Sequence, residues 1–151
     1  RAGVAADRII MLGKTSWHEH MRACNRIDLA LDPFPQGGGV TALEGLMMGV
    51  PMVTLRWPTI VGRSSASALT VLGLTDWIAE TREQYVELAL QKAADLASLA
   101  ELRRKLRGIF EASVIGDPAA YARAVEREYR QLWREWCANG SPQERPRPVE
   151  P

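Results

Sequence analysis

The chain is poor in the features that most sharply define a function class. Cysteine occurs twice, at Cys24 and Cys137. Two residues so far apart match no metal-ligand or redox spacing, so independent reduced thiols in a cytoplasmic protein are expected. No apolar run is long: Leu46 to Leu55 covers about half a membrane span and is broken by Gly49 and Pro51. No bilayer crossing is therefore expected. Charge of one sign is also lacking, because 19 basic residues face 18 acidic ones for a formal net charge of +1. That balance gives no electrostatic case for nucleic acid or an anionic membrane. The one basic cluster, Arg103, Arg104, Lys105 and Arg107, is mixed with leucines at helical spacing and reads as a solvated helix face. No Ser/His/Asp set, pair of catalytic carboxylates or activated cysteine can be assembled, so no catalytic residue is assigned. His18 and His20 differ by two and diverge on a helix, so no zinc pair and no metal is expected. The opening "RAGVAADRII" has no methionine and no signal-like core, and its start reads as an excision from something longer.

What the sequence does have is enough apolar material for one core: 151 residues, 46% hydrophobic. Arg8 to Leu12 ("RIIML") reads as a short buried strand. Ser16 and Glu19 then form a capping box at a helix start, with His18 and His20 in its first turn. "IDLALD", Ile27 to Asp32, is a second strand stopped by Pro33 and Pro35. Helical periodicity runs from about Thr41 to Gly49, a natural C-terminal cap. "PMVTL", Pro51 to Leu55, is a third strand, apolar on both faces as parallel strands are. A small-residue helix from Gly62 to Gly73 precedes a short "DWIAE" strand. Thr81 with Gln84 caps a helical stretch reaching about Ser113, and Asp117 with Pro118 starts a last helix through Trp133 and Trp136. The tail, 139–151, is expected to be disordered.

Strands alternating with helices predict an open parallel α/β sheet of the Rossmann kind, followed by a helical C-terminal region. The expected division is an α/β portion at 1–80, helices packing on it at 81–138, and the tail. Such sheets bind ligands beyond the carboxyl ends of their strands, where "PQGGGVTALE" falls. A glycine-rich turn entering a helix offers free amides and the positive end of the helix dipole, which makes an anion site. "GGG" alone matches neither GxGxxG nor a Walker A loop. Glu44, three after Thr41, has two readings: an acceptor for ribose hydroxyls one turn into the helix, or half of another capping box. His20 likewise either stacks on a base or merely helps its helix start.

"DLALDPFPQGGGVTALEGLMMGVPMVTL", with "GRSSASALTVLGLTDWIAETREQYVELA" and "DPAAYARAVEREYRQLWREW", resembles the C-terminal catalytic part of the O-linked N-acetylglucosamine transferase and SPINDLY family. The resemblance runs from about Asp7 to Trp136. It implies the two-domain GT-B fold and an inverting glycosyltransferase that moves a sugar from a nucleotide diphosphate to protein serine or threonine. Carried over by position, His20 would stack on the base, Gly38, Gly39, Val40 and Thr41 would border the diphosphate, and Glu44 would hold the ribose. The implied donor is UDP-N-acetylglucosamine, with GDP-fucose the nearest rival, and the other class of reading is a non-catalytic scaffold. Many members carry a His or Thr and two threonines where this chain has Gly39, Val40 and Thr41. Two lost side-chain contacts at about 1 kcal/mol each predict roughly tenfold or more weaker donor binding. Trp17 stands where some members have a lysine. The resemblance places a catalytic half, tetratricopeptide repeats, the acceptor site and the first strands of this domain upstream, so this chain alone should not transfer sugar. With those strands absent, a homo-oligomer or a rearranged first strand is expected.

Overall fold

The computed structural model describes residues 3–139. Its centre is a three-stranded parallel sheet in the order β1-β2-β3, where β1 is Ala30–Leu31, β2 is Met52–Leu55 and β3 is Ile78–Ala79. Ala30 aligns with Met52 and Leu31 with Val53 on one side, Thr54 with Ile78 and Leu55 with Ala79 on the other. All four residues of β2 are buried, which is why its apolar character is continuous rather than alternating. Helix α1, Trp17–Cys24, precedes β1; α2, Val40–Met47, connects β1 to β2; α3, Ser64–Val71, connects β2 to β3. Three helices follow: α4, Arg82–Ala94, α5, Leu96–Glu111, and α6, Pro118–Asn139.

The core joins Leu46 of α2, Val53 and Leu55 of β2, Leu69 of α3, Trp77, Tyr85 of α4, and Leu99, Leu106 and Phe110 of α5. Local chemistry sets the helix ends. Ser16 and Glu19 form a complete capping box on α1, and Thr81 accepts the Gln84 amide while Gln84 reaches the Glu80 amide. Asp117 accepts from Ala120 at the start of α6. α2 ends in a Schellman motif: the Gly49 amide donates to Leu46 and the Val50 amide to Gly45, with Gly49 at φ +80°. A Cβ at Gly49 would also meet the Arg103 carbonyl at 3.0 Å, so α5 packs close against that turn.

Three expectations need correction. Residues 8–12 form no strand; Ile9, Ile10, Met11 and Leu12 are all more than half exposed. An apolar run becomes a strand only when a neighbour takes its backbone hydrogen bonds, and β1, its Leu31 58% exposed, forms the sheet edge among the described residues. The second strand shrinks from Ile27–Asp32 to Ala30–Leu31, and the fourth to Ile78–Ala79. The helical stretch after Thr81 is two helices, because Asp95 leaves helical geometry and caps α5 by accepting the Ser98 amide. Of the tail, only Asn139 lies among the described residues, where it ends α6. No helix there is long and apolar enough to cross a membrane.

Candidate functional site

The site grows from Asp32, the residue after β1. Its side chain is buried, with both carboxylate oxygens engaged: Oδ1 accepts the Gly38 amide at 2.8 Å and Oδ2 accepts the Thr54 hydroxyl at 2.7 Å. Its carbonyl accepts the Tyr85 hydroxyl from α4 at 2.9 Å. Burial, and secondarily the Asp32 charge, push the Tyr85 phenol upward, so it stays a proton donor there. Phe34 packs edge-on to Tyr85 and parallel to Trp57, while the Arg82 guanidinium lies over both Phe34 and Trp57. This anchors the Pro33–Pro35 exit from β1, whose Phe34–Pro35 peptide is cis.

The three glycines then separate into different requirements. A Cβ on Gly37 would stand 2.9 Å from Asp32 Oδ2 and 3.1 Å from Ser65 Oγ. One on Gly38 would stand 3.3 Å from Asp32 Oδ1 and 3.2 Å from the Thr41 hydroxyl. Both positions are crowded by the chain's own groups, most severely Gly37, with the buried Asp32 carboxylate against each. Gly39 has nothing within 4 Å of a Cβ, but its φ of +53° with ψ of −121° is backbone that favours glycine.

Gly39 is also the N-cap of α2, with no side-chain capping bond. The Gly38 amide is spent on Asp32, and the Thr41 hydroxyl and amide both donate to the Gly38 carbonyl, at 2.6 and 3.2 Å. The amides of Gly39 and Val40 donate to no group among the described residues. They and the Ala42 amide, which also has no partner among the described residues, are open donors at the start of α2, reinforced by the helix dipole. The Val40 side chain adds only an exposed apolar surface.

Glu44 is not part of a capping box, since the cap lies at Gly39 and puts Glu44 one turn inside α2. Its carboxylate reaches α1 instead: Oε1 accepts Trp17 Nε1–H at 3.3 Å, and Oε2 lies 3.4 Å from His20 Nε2. The His20 contact is an ion-pair distance without hydrogen-bond geometry, and Nε2 is sealed from solvent although the side chain is 40% exposed. Cys24, on the buried side of α1, has its thiol pushed up by desolvation, with Glu44 adding to the effect.

The structure thus brings His20 and Glu44 into contact and sets Gly39, Val40 and Thr41 on an open shelf one turn away, while Gly38 faces inward to Asp32. Sequence reasoning missed Asp32, Thr54, Tyr85 and the Trp17 link. Only Asp32 carried a local signal, as an acid at the carboxyl end of an apolar strand ahead of glycines. A cleft of about 390 Å³ lined by Trp77, Lys92, Asp95 and Ser98 shares no residue with the shelf. Its cation is already occupied, with Lys92 over the Trp77 ring and paired to Asp76. Among the described residues no three His, Cys, Asp or Glu side chains group as metal ligands do.

Parallel β-α-β units with a glycine loop at the carboxyl end of the sheet, backed by C-terminal helices, define the C-terminal part of a GT-B fold. Residues 1–125 match glycosyl transferase family 41, and the chain belongs to that family. It is similar to a rice (Oryza sativa subsp. japonica) protein named probable UDP-N-acetylglucosamine-peptide N-acetylglucosaminyltransferase SPINDLY, at 40% identity over 125 residues. That match covers 83% of this chain and 14% of the rice protein. A Caenorhabditis elegans UDP-N-acetylglucosamine-peptide N-acetylglucosaminyltransferase is 29% identical over 134 residues, 89% of this chain and 12% of that one. Among solved structures, a mutant of the Thermobaculum terrenum O-GlcNAc transferase superposes with a TM-score of 0.85 at 36% identity. The superposition covers 92% of this chain and 27% of that protein. The chain therefore spans about a seventh of the rice protein's length.

Proposed function

We propose that this chain forms the nucleotide-sugar site of a protein O-glycosyltransferase, with UDP-N-acetylglucosamine as donor and serine or threonine of a protein as acceptor. One observation carries the reading: the His20–Glu44 pair stands one helical turn from the Gly39 and Val40 amides, which have no partner among the described residues. Diphosphate would sit on the Gly39 and Val40 amides, where the start of α2 stabilises the charge that develops as the sugar leaves. Glu44 would accept from ribose hydroxyls, and the His20 ring would stack on the base. The chemistry is electrostatic and needs no proton transfer by these residues. The names borne by the rice, worm and bacterial relatives support the choice of sugar.

Calorimetric titration of the chain with UDP and GDP tests this. Saturable UDP binding tighter than GDP is expected, and tighter GDP binding would move the reading to a GDP-fucose donor. A scaffold role has its own support, since the Gly38 amide and Thr41 hydroxyl are committed inside the chain. No saturable binding of either nucleotide at millimolar concentration would decide for that role.

A further inference from the structure

Trp17 opens α1 with its indole 59% exposed, yet its ring N–H is not left to water. It reaches 27 residues along the chain to Glu44 Oε1. Glu44 Oε2 faces the solvent-sealed Nε2 of His20, and the Glu44 side chain keeps 20% of its surface exposed. No side chain of α2 caps or holds this carboxylate, so its position is set from α1, by one N–H donor and one ring edge. A carboxylate offers about four acceptor directions; the two rings engage one at each oxygen, and the 20% of the side chain that stays exposed leaves room for a further donor.

We propose that Trp17 is a positioning residue for the site: its indole N–H fixes the Glu44 carboxylate so that its free acceptor directions meet a vicinal diol, the 2′ and 3′ hydroxyls of a ribose. This rests on the reading of the shelf as a nucleotide site. The consequence is specificity rather than fold. A held carboxylate pairs with both hydroxyls at once, whereas a carboxylate free to rotate pays an ordering cost each time the diol binds.

The decisive variant is Trp17→Phe, which keeps an aromatic ring, smaller than the indole, and loses the donor. Calorimetry with UDP and with 2′,3′-dideoxy-UDP measures the discrimination between the two. The wild-type chain is expected to prefer UDP, and W17F to lose up to about tenfold in UDP affinity, the scale of ordering one side chain. Its affinity for the dideoxy nucleotide should stay within about twofold of wild type, a pattern that general damage to the helix would not give. An independent readout needs no nucleotide: the indole N–H resonance of Trp17, assigned by its loss in W17F, should shift on Glu44→Ala. Wild-type chain that binds no UDP would overturn the nucleotide reading itself. UDP binding with an unchanged UDP-to-dideoxy ratio in W17F, or a Trp17 resonance indifferent to Glu44→Ala, would overturn only the role of Trp17.

Discussion

Thr54→Val tests the buried support of the glycine loop. Threonine and valine have nearly the same shape, and Thr54 is fully buried in the central strand, so the substitution leaves the packing of β2 intact. What it removes is the hydroxyl that donates to Asp32 Oδ2 at 2.7 Å. Asp32 is 4% exposed, so water cannot easily replace that donor. A hydrogen bond to a charged group is worth about 1.5–3 kcal/mol, and the strand gains no new surface to offset the loss. The expected destabilisation is therefore about 2 kcal/mol, which for a domain of this size lowers the midpoint of thermal unfolding by about 4–8 °C. Urea unfolding followed by circular dichroism measures it, with Thr54→Ser as the control that keeps the donor. Because Oδ1 still holds the Gly38 amide, UDP affinity of the folded variant should stay near the wild-type value. A loss under about 0.5 kcal/mol, typical of surface substitutions, would refute the view that this pair anchors the loop. Ser65, whose hydroxyl is buried without a partner near the same glycine, supplies the follow-up. If it turns to replace Thr54, adding Ser65→Ala should restore the full loss.

Gly37→Ala presses a methyl group on Asp32 and Ser65 and should cost about 1–3 kcal/mol in urea unfolding. Gly45→Ala, in the interior of α2 with nothing within 4 Å, should instead stabilise by about 0.5–1 kcal/mol. Titration with Ellman's reagent at neutral pH should show one fast thiol, the exposed Cys137, and one slow, because burial raises the Cys24 thiol and depletes its thiolate. Cys24 reacting at the same rate would count against its placement. The Ser16 amide and hydroxyl hold the Glu19 carboxyl below its usual range, so the capping box contributes stability above the unfolded pKa of Glu19. That contribution fades as pH falls through the lower folded value. Ser16→Ala should move the Glu19 titration upward in NMR and flatten the acid limb of the stability curve.

Local chemistry was legible wherever it is self-contained. Ser16 with Glu19, Thr81 with Gln84, and Asp117 each cap a helix as their spacing predicts, because a cap needs only residues within a turn. β2 was legible because burial on both faces leaves an unbroken apolar run. "RIIML" has the same apolar look and yet pairs with no strand among the described residues, since a strand depends on a lateral neighbour that its own residues cannot specify. Thr41 and Glu44 repeat the spacing of Ser16 and Glu19 without forming a box. The difference is Gly39: its positive φ starts the helix earlier, so Glu44 falls past the capping position and turns to α1. Asp95 sits within a continuous helical pattern, and only the turn between α4 and α5 shows that it caps rather than continues.

The glycine run has an account within the chain that needs no ligand. A phosphate that must approach the backbone explains three glycines, but Gly37 and Gly38 are already accounted for by the Asp32 carboxylate beneath them. Gly39 is accounted for by its dihedral angles alone. Glycine at these positions therefore says little about a ligand, and so does the Gly38 amide, which is turned inward. What bears on the proposed binding is the pair of amides at Gly39 and Val40, unpaired among the described residues and one turn from Glu44 and His20. An anion gripped by two amides rather than by threonine hydroxyls draws more of its stabilisation from the helix dipole. The UDP affinity of this chain should accordingly fall with added salt, as screening weakens the attraction at an exposed helix start.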